Sequence, residues 1–238
     1  MDFPNLCVYI DNILLLPPKY NEKLPMKLYH YVHCPFCVRV RMGLSFLGLT
    51  YESKITPYDD EATPLHLTGK KMLPIMLYEN GVAQNESLTI LKSLDIKNDL
   101  NWKILESHEN TLNLLLDEIG SLVHSLAMPY WIWTPEFNDS SRNYFQAKKE
   151  IKRGSFKELV KNQHVYADKL DLILFNEVLS NLKPFFHSDK LTIMDVIIAS
   201  HLWGMYVVPE YQFAPHIHEY LKRVKKLTKF NYHEDYWK

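Results

Sequence analysis

The sequence predicts an α/β domain followed by an all-α domain. From residue 26 to residue 97, short apolar runs typical of strands alternate with helical periodicities. From residue 101 to residue 232 the long apolar periodicities are all helical, without convincing strand pairs. A chain of 238 residues is long enough for two such cores. We therefore predict domains at 26–97 and 101–232, after an irregular extension at 1–25.

The extension is rich in proline and shows no sustained period. Met26 directly precedes the first clear strand pattern, so translation from Met26 is an alternative to translation from Met1. The intact mass of native protein distinguishes the two starts. Cys7 lies in this segment, and we expect it to be a small apolar residue without a redox role.

The α/β domain begins with a βαβ unit. KLYHYV at 27–32 is typical of a strand. PFCVRVRMGLSFLG at 35–48 has apolar residues at helical spacing and ends at Gly48, which favours a helix stop. TYESKI at 50–55 predicts the second strand. Two neighbouring strands joined through a helix are parallel, with a right-handed crossover.

A short helix, a hairpin and a final helix complete this domain. The acidic segment 57–69 predicts the short helix and a loop. Two apolar runs meet at Asn80-Gly81, which is the strongest local hairpin signal. Ser87 is placed to cap a helix over 87–95. The predicted order is therefore βαβαββα.

The all-α domain opens with a long helix that starts at Asn101 and ends near Pro129. Two further helices begin with capping-box patterns, at Ser155–Glu158 and Thr192–Asp195, so we expect Asp195 to be a folding element. Four aromatic residues of this domain are expected in the core rather than along a cleft: Trp131, Trp133, Trp203 and Tyr206.

Composition disfavours several classes of partner. Lys and Arg number 27, Asp and Glu number 28, and neither sign forms a long block, so we expect no nucleic acid or anionic membrane partner. Apolar runs are too short or too acidic for a membrane helix. The N-terminus has acidic residues where a secretory signal has positive charge. We therefore expect a cytoplasmic protein, and in a reducing compartment close cysteines are more often catalytic or metal-binding than structural.

The pair Cys34 and Cys37, in VHCPFC, allows three interpretations. A metal site lacks a second CxxC, and His30 and His33 lie too close to the strand to complete a tetrahedron, so we expect no metal. Two small core residues are the second interpretation. Against it, Pro35 suits the first helical position, which leaves Cys34 at the helix N-cap.

The N-cap position favours a reactive thiolate at Cys34, because unpaired N–H groups and the helix dipole stabilise the charged form. Lowering a thiol pKa from about 8.5 to about 5 requires roughly 4.8 kcal/mol, whereas a helix terminus supplies about 0.3 to 1 and at most about 2 kcal/mol. Other donors must contribute, and the candidates are the amides near Phe36 and Cys37 and a cation such as Lys71. Cys37, one turn on, is the candidate resolving thiol.

These motifs match a family. VHCPFC at a strand-to-helix turn, LPI at 73–75 before the hairpin, and Glu86-Ser87 at a helix start resemble the glutaredoxins, which have the thioredoxin fold. The helical domain with TIMD at 192–195 resembles the C-terminal domain of glutathione S-transferases. The combination is similar to two-domain bacterial glutaredoxins of the glutaredoxin 2 type and covers about residues 26 to 230.

The resemblance implies a glutathione site. The Leu73-Pro74 peptide would be cis and would turn the backbone of Leu73 toward glutathione. Ser87 and the helix behind it would bind the γ-glutamyl carboxylate, and Glu86 the ammonium. The alternatives remain a plain helix cap for Ser87 and a solvated charge for Glu86. Lys71, or less readily Lys70, would bind the glycyl carboxylate. The alternative, that Lys71 is a surface lysine without a role in binding, is nearly as well supported.

Pro35 and Phe36 complete the implied glutathione site. Glutaredoxins often have tyrosine where this chain has Phe36. The hydroxyl group is therefore absent here, whereas the aromatic ring that would pack against the ligand is kept. We expect His33, beside Cys34, to be an exposed histidine, and Tyr31 to be a packing residue of the strand.

The main functional hypothesis is a glutathione-dependent thiol-disulfide oxidoreductase, with Cys34 as the nucleophile, Cys37 as the resolving thiol and glutathione as co-substrate. Its partners would be glutathionylated or disulfide-bonded proteins, and the resemblance suggests a monomer. One alternative is a glutathione transferase with a cysteine active site. Another is a non-catalytic, redox-sensing binding protein. Two cysteines favour the first hypothesis, because transferases with cysteine in this place usually need only one.

Overall fold

A computed structural model describes residues 25–232, together with the backbone of two short strands, β1 (Tyr9–Ile10) and β2 (Ile13–Leu14). These two strands pair antiparallel. Apart from these two strands and residue 25, the predicted extension lies outside the described residues, and so does Cys7.

A four-stranded sheet forms the centre of the first domain. Its strands are β3 (Lys27–His30), β4 (Glu52–Ile55), β5 (Ile75–Leu77) and β6 (Ala83–Asn85), and their spatial order is β4-β3-β5-β6. Its first two strands in the chain are parallel, as the βαβ pattern predicted, and the other neighbours are antiparallel. Gly81 has a φ of 82° in the turn between the last two strands, so the predicted hairpin is confirmed.

Three helices belong to this domain: α1 (Pro35–Phe46), α2 (Ala62–Thr68) and α3 (Ser87–Leu94). Helix α1 ends just before Gly48, whose φ of 68° stops the helix as the sequence predicted. The predicted capping role of Ser87 is wrong. Glu86 occupies the N-cap of α3 with a φ of 73°, and Ser87 is the first helical residue. The positive φ of Glu86 shifts the helix start by one residue.

Six α-helices follow in the second domain: α4 (Trp102–Trp131), α5 (Asp139–Arg153), α6 (Phe156–Lys161), α7 (Gln163–Ile173), α8 (Ile193–Leu202) and α9 (Pro215–Thr228). One π-helical turn and two 3₁₀ turns extend α7 and α8, at Leu174–Val178, Leu179–Asn181 and Trp203–Val207. Helix α4 ends at Trp131, two residues beyond Pro129. A proline so near the end removes a single helical hydrogen bond, which the last turn tolerates.

Capping side chains start three of these helices, α5 at Asn138, α6 at Ser155 and α8 at Thr192. At α8, Thr192 and Asp195 form the predicted capping box, and both side chains are buried. Asp195 also accepts hydrogen bonds from the Phe186 N–H at 2.8 Å and the Tyr220 hydroxyl at 3.0 Å. Asp195 is therefore a folding element, as expected. At α6, the hydroxyl of Ser155 accepts from the backbone N–H three residues on.

The two domains share one apolar core, in which α1 packs against α8 and α4 packs against α8. Trp131, Trp203 and Tyr206 are buried there, as expected. Trp133 is 67% exposed, and the guanidinium of Arg142 lies 4.4 Å from the centre of one of its rings, so the core expectation is wrong for this residue. Within the part of the chain that the structure describes, no helix is both long and apolar enough to cross a membrane.

Candidate active site at the cysteine pair

The turn between β3 and α1 places the two cysteines. Cys34 is the N-cap residue of α1, with extended backbone angles, and Pro35 follows at the first helical position. The carbonyl of Cys34 accepts the N–H of Val38 at 2.9 Å, which is the first bond of the helix. Cys34 is half-buried, whereas Cys37 is fully buried and its sulfur accepts the Tyr31 N–H at 3.4 Å. One thiol is thus reachable and the other is protected.

The surroundings of Cys34 stabilise its thiolate. They lower the pKa of Cys34 from 9.0 to about 7. A hydrogen bond from the Cys37 thiol is the largest cause; the backbone N–H groups of Cys37 and Phe36 and the charge of Lys149 add to it, and burial opposes it. The pKa of Cys37 moves the other way, because burial and its bond to Cys34 both favour the neutral thiol. Cys37 is therefore the proton donor and Cys34 the acceptor.

Lys149 is the cation that the sequence analysis missed. It lies on α5 of the helical domain, and its Nζ is 5.8 Å from the ring centre of Tyr58 and 5.5 Å from that of Phe145. Lys71, the predicted cation, is not among the main causes of the lowered pKa of Cys34. Its Nζ donates to Glu61 at 2.8 Å and to the Tyr144 hydroxyl at 3.0 Å. More than a hundred residues separate Lys149 from Cys34, so no local pattern signals this contact.

His33 is only 6% exposed, so the expectation of an exposed histidine is wrong. Its ring packs in an aromatic cluster that joins the two domains: Tyr31, Tyr58, Trp131, Phe137 and Phe145. Its Nδ1 lies 3.9 Å from a carboxylate oxygen of Glu136. The helical domain covers the turn before α1, and that cover buries His33. Tyr31 is a packing residue, as expected.

The cis-proline segment lies beside the cysteine pair. The Leu73-Pro74 peptide is cis, as the resemblance implied. Leu73 is buried in a small cluster with Cys37 and Ile75, and Cys34 packs against this cluster.

A hydrogen bond from Arg39 connects helix α1, which begins at the cysteine pair, to the start of α3. Glu86 is exposed, whereas Ser87 is buried and its hydroxyl accepts a hydrogen bond from Nη1 of Arg39 at 3.0 Å. Arg39 comes from α1, two residues after Cys37, and the sequence analysis did not single it out. The sequence does contain a signal for this residue, because Arg39 is a charged residue on an otherwise apolar face of α1.

Phe36 is 45% exposed and lines a cavity together with residues of α4 and α8. Its ring meets that of His201 edge-on at 5.7 Å, and the guanidinium of Arg39 lies 5.1 Å from its centre. Among residues 25–232, no group of three or more His, Cys, Asp or Glu side chains is arranged to hold a metal ion.

The fold and the site define a class: a thioredoxin-like domain with a CxxC pair at a helix N-terminus, joined to a helical domain of the glutathione S-transferase type. Comparison with family models supports both halves. The N-terminal domain of glutathione S-transferases matches residues 28–102, and the C-terminal domain of glutaredoxin 2 matches residues 111–236. The chain belongs to the glutaredoxin 2 family.

Comparisons with individual proteins support this family assignment. Glutaredoxin 2 of Escherichia coli K12 is 25% identical over 211 residues, which is 87% of this chain and 97% of that protein. The structure of glutaredoxin 2 from Salmonella typhimurium, in complex with glutathione, matches with a TM-score of 0.77 and 25% identity over 90% of this chain and 99% of that one. A glutathione transferase from Phanerochaete chrysosporium, 14% identical, matches 88% of this chain and 99% of its own with a TM-score of 0.72, which shows the shared fold alone.

Proposed function

We propose that this protein is a glutathione-dependent thiol-disulfide oxidoreductase. The Cys34 thiolate attacks the glutathione sulfur of a mixed disulfide, forming a Cys34–glutathione disulfide and releasing the substrate thiolate, which takes a proton from solvent. A second glutathione thiolate then attacks the glutathione sulfur, releasing glutathione disulfide and restoring Cys34. Alternatively, Cys37 loses its proton and attacks Cys34, releasing glutathione and leaving a Cys34–Cys37 disulfide that two glutathiones reduce.

The single observation that carries this proposal is the opposite shift of the two thiols. A pKa of about 7 keeps about half of Cys34 as thiolate at neutral pH, without making it too stable to attack. The raised pKa and full burial of Cys37 keep that thiol protonated until a disulfide forms beside it. A nucleophile and a protected resolving thiol, one helical turn apart, suit disulfide exchange.

The proposed glutathione site surrounds Cys34. The backbone of Leu73, beside the cis Pro74, pairs with the tripeptide, and Pro35 and Phe36 form the wall beside its sulfur. The family relationship supports this, because the related protein of Salmonella typhimurium was solved with glutathione.

The two ends of the tripeptide go to opposite sides of this site. Ser87 and Glu86 receive the γ-glutamyl end, and Lys71 the glycyl carboxylate. Lys71 already pairs with Glu61, so it shares its charge between two carboxylates.

The test is reduction of a glutathione mixed disulfide, coupled to glutathione reductase, for the wild type and for Cys34→Ser and Cys37→Ser. The first variant should lose activity and the second should retain most of it, because a second glutathione replaces the resolving thiol. Cys7→Ser is the matched control and should behave as wild type. Retained activity in Cys34→Ser would refute the proposal.

A second assay separates the rival enzyme class. Efficient conjugation of chlorodinitrobenzene with weak disulfide reduction would identify a glutathione transferase. Absence of both activities would favour a redox-sensing binding protein.

The proposal extends to partners and location. The substrates are glutathionylated or disulfide-bonded proteins, and the chain acts as a monomer in the cytoplasm, where glutathione keeps its thiols reduced. Light scattering on the purified protein tests the monomer: a molar mass near 28.2 kDa supports it, and twice that mass contradicts it.

A further inference from the structure

Helix α5 presents two neighbouring rows of side chains, because residues four positions apart share a side of a helix. The inner row consists of Phe145, Lys149 and Arg153, which are buried or half-buried. The rim row contains Lys148 and Lys152, which are both exposed. We call the four cations of these rows the basic face of α5: Lys148, Lys149, Lys152 and Arg153.

The inner row begins at the cysteine pair. The ring of Phe145 meets the ring of His33, the neighbour of Cys34, edge-on at 5.4 Å. One turn further along α5, the charge of Lys149 is among the causes that lower the pKa of Cys34. Residues 148–153 span about 7.5 Å along the helix axis, which is the length of roughly two residues of extended chain. The basic face therefore lies within reach of residues that flank a cysteine bound at Cys34.

The charges of the basic face are not neutralised by neighbouring carboxylates. Within residues 25–232, none of the four cations forms an ion pair with a carboxylate. Burial, and after it the positive charges of Arg153, Lys148 and Lys152, lower the pKa of Lys149, while the Cys34 thiolate opposes the shift. Acidic side chains near α5 have other partners: Asp59 accepts from the Ser140 hydroxyl, Glu61 from Lys71 at 2.8 Å and Glu150 from the Phe156 N–H at 2.8 Å.

We propose that the basic face of α5 binds acidic residues that flank the modified cysteine of a glutathionylated protein. The inference rests on the proposed function and names the class of protein substrate that this function favours. While Cys34 attacks the glutathione sulfur, carboxylates within a few positions of the substrate cysteine pair with Lys148 and Lys152. Such complementarity raises the rate of productive encounter and fixes the orientation of the substrate.

The experiment compares two glutathionylated peptides in a Cys37→Ser background. One peptide has Asp and Glu on both sides of a single cysteine, and the other has Asn and Gln at the same positions. In either case Cys34 takes up the glutathione sulfur and the peptide thiolate leaves. The ratio of the two second-order rate constants measures recognition of the carboxylates, because the glutathione group and the reactivity of Cys34 are common to both reactions. At low ionic strength the acidic peptide should react about 5- to 10-fold faster. This preference should largely disappear in about 1 M salt, where the Debye length is about 3 Å.

The double variant Lys148→Gln/Lys152→Gln should lower the preference for the acidic peptide at least about 3-fold, with little change in the rate of the amide peptide. Lys149 is left in place because it acts on the pKa of Cys34. Lys222→Gln/Lys226→Gln is the matched control, since it removes two exposed lysines at the same spacing from α9 and should keep the ratio of the parent. Thermal unfolding checks each variant, and Lys152→Gln alone decides the question if the double variant does not fold.

Three results would overturn the inference while leaving the proposed function standing. The parent could react equally fast with both peptides, or Lys148→Gln/Lys152→Gln could keep the ratio of the parent. An equal loss of preference in the α9 control would assign the effect to the net charge of the chain rather than to the basic face. A parent protein that removes glutathione from neither peptide would overturn the proposed function itself, and the inference with it.

Discussion

Replacing Cys37 by alanine should raise the pKa of Cys34, because the hydrogen bond from the Cys37 thiol is the largest cause that lowers it. The lowering from 9.0 to about 7 corresponds to about 2.7 kcal/mol at 1.36 kcal/mol per unit. A hydrogen bond to a charged group contributes about 1.5 to 3 kcal/mol, or roughly one to two units. The thiolate fraction at pH 7 should then fall from about half to about a tenth or less.

Cys37→Ser is the matched control for this change. The serine hydroxyl keeps a donor at the same position, so the pKa of Cys34 should rise less than in Cys37→Ala. The backbone N–H groups at the start of α1 and the charge of Lys149 are present in both variants. The difference between alanine and serine therefore isolates the side-chain hydrogen bond.

The assay is the ultraviolet absorbance of the thiolate as a function of pH, in a Cys7→Ser background so that each variant has a single cysteine. Alkylation rates with iodoacetamide across the same pH range give an independent value. The reasoning is refuted if Cys37→Ala leaves the pKa of Cys34 unchanged or lowers it. An equal rise in both variants would assign the effect to packing around Cys37 rather than to its hydrogen bond.

Two further changes test the roles of the helical domain. Lys149→Met should raise the pKa of Cys34 by less than Cys37→Ala does, since the charge is the smaller cause; the same titration measures it, and an unchanged pKa would remove Lys149 from the site. Gly204→Ala should lower the free energy of unfolding in urea by about 1 to 3 kcal/mol. Its added Cβ would lie 2.6 Å from the buried ring of Trp131, whereas Gly120→Ala, whose Cβ would lie 3.7 Å from its nearest neighbour, should change stability by less than about 1 kcal/mol; equal effects of the two would contradict the packing argument.

The elements of the first domain could be predicted from the sequence because the signals that determine them are local. Asn80-Gly81 sets the hairpin, Gly48 ends α1, and Pro35 at the first helical position leaves Cys34 at the N-cap. Each of these features depends on the backbone preferences of one or two residues, which a sequence displays directly. The same holds for the capping box at the start of α8.

The surroundings of Cys34 were less predictable, because they are made by the other domain. Lys149 and the aromatic cluster around His33 reach the first domain through tertiary packing, and no short pattern encodes that contact. The prediction that Ser87 caps α3 failed for a local reason. Serine at a helix start normally caps, but the positive φ of Glu86 moves the boundary, and Arg39 takes the hydroxyl as an acceptor.

The central claim is that Cys34 is the atom that accepts glutathione. The most direct measurement is mass spectrometry of proteolytic peptides from the Cys37→Ser chain after brief exposure to glutathione disulfide near neutral pH. The account predicts one glutathione per chain, attached at Cys34, and none at Cys7. A chain that stays unmodified, or one that carries its glutathione at Cys7, would contradict it.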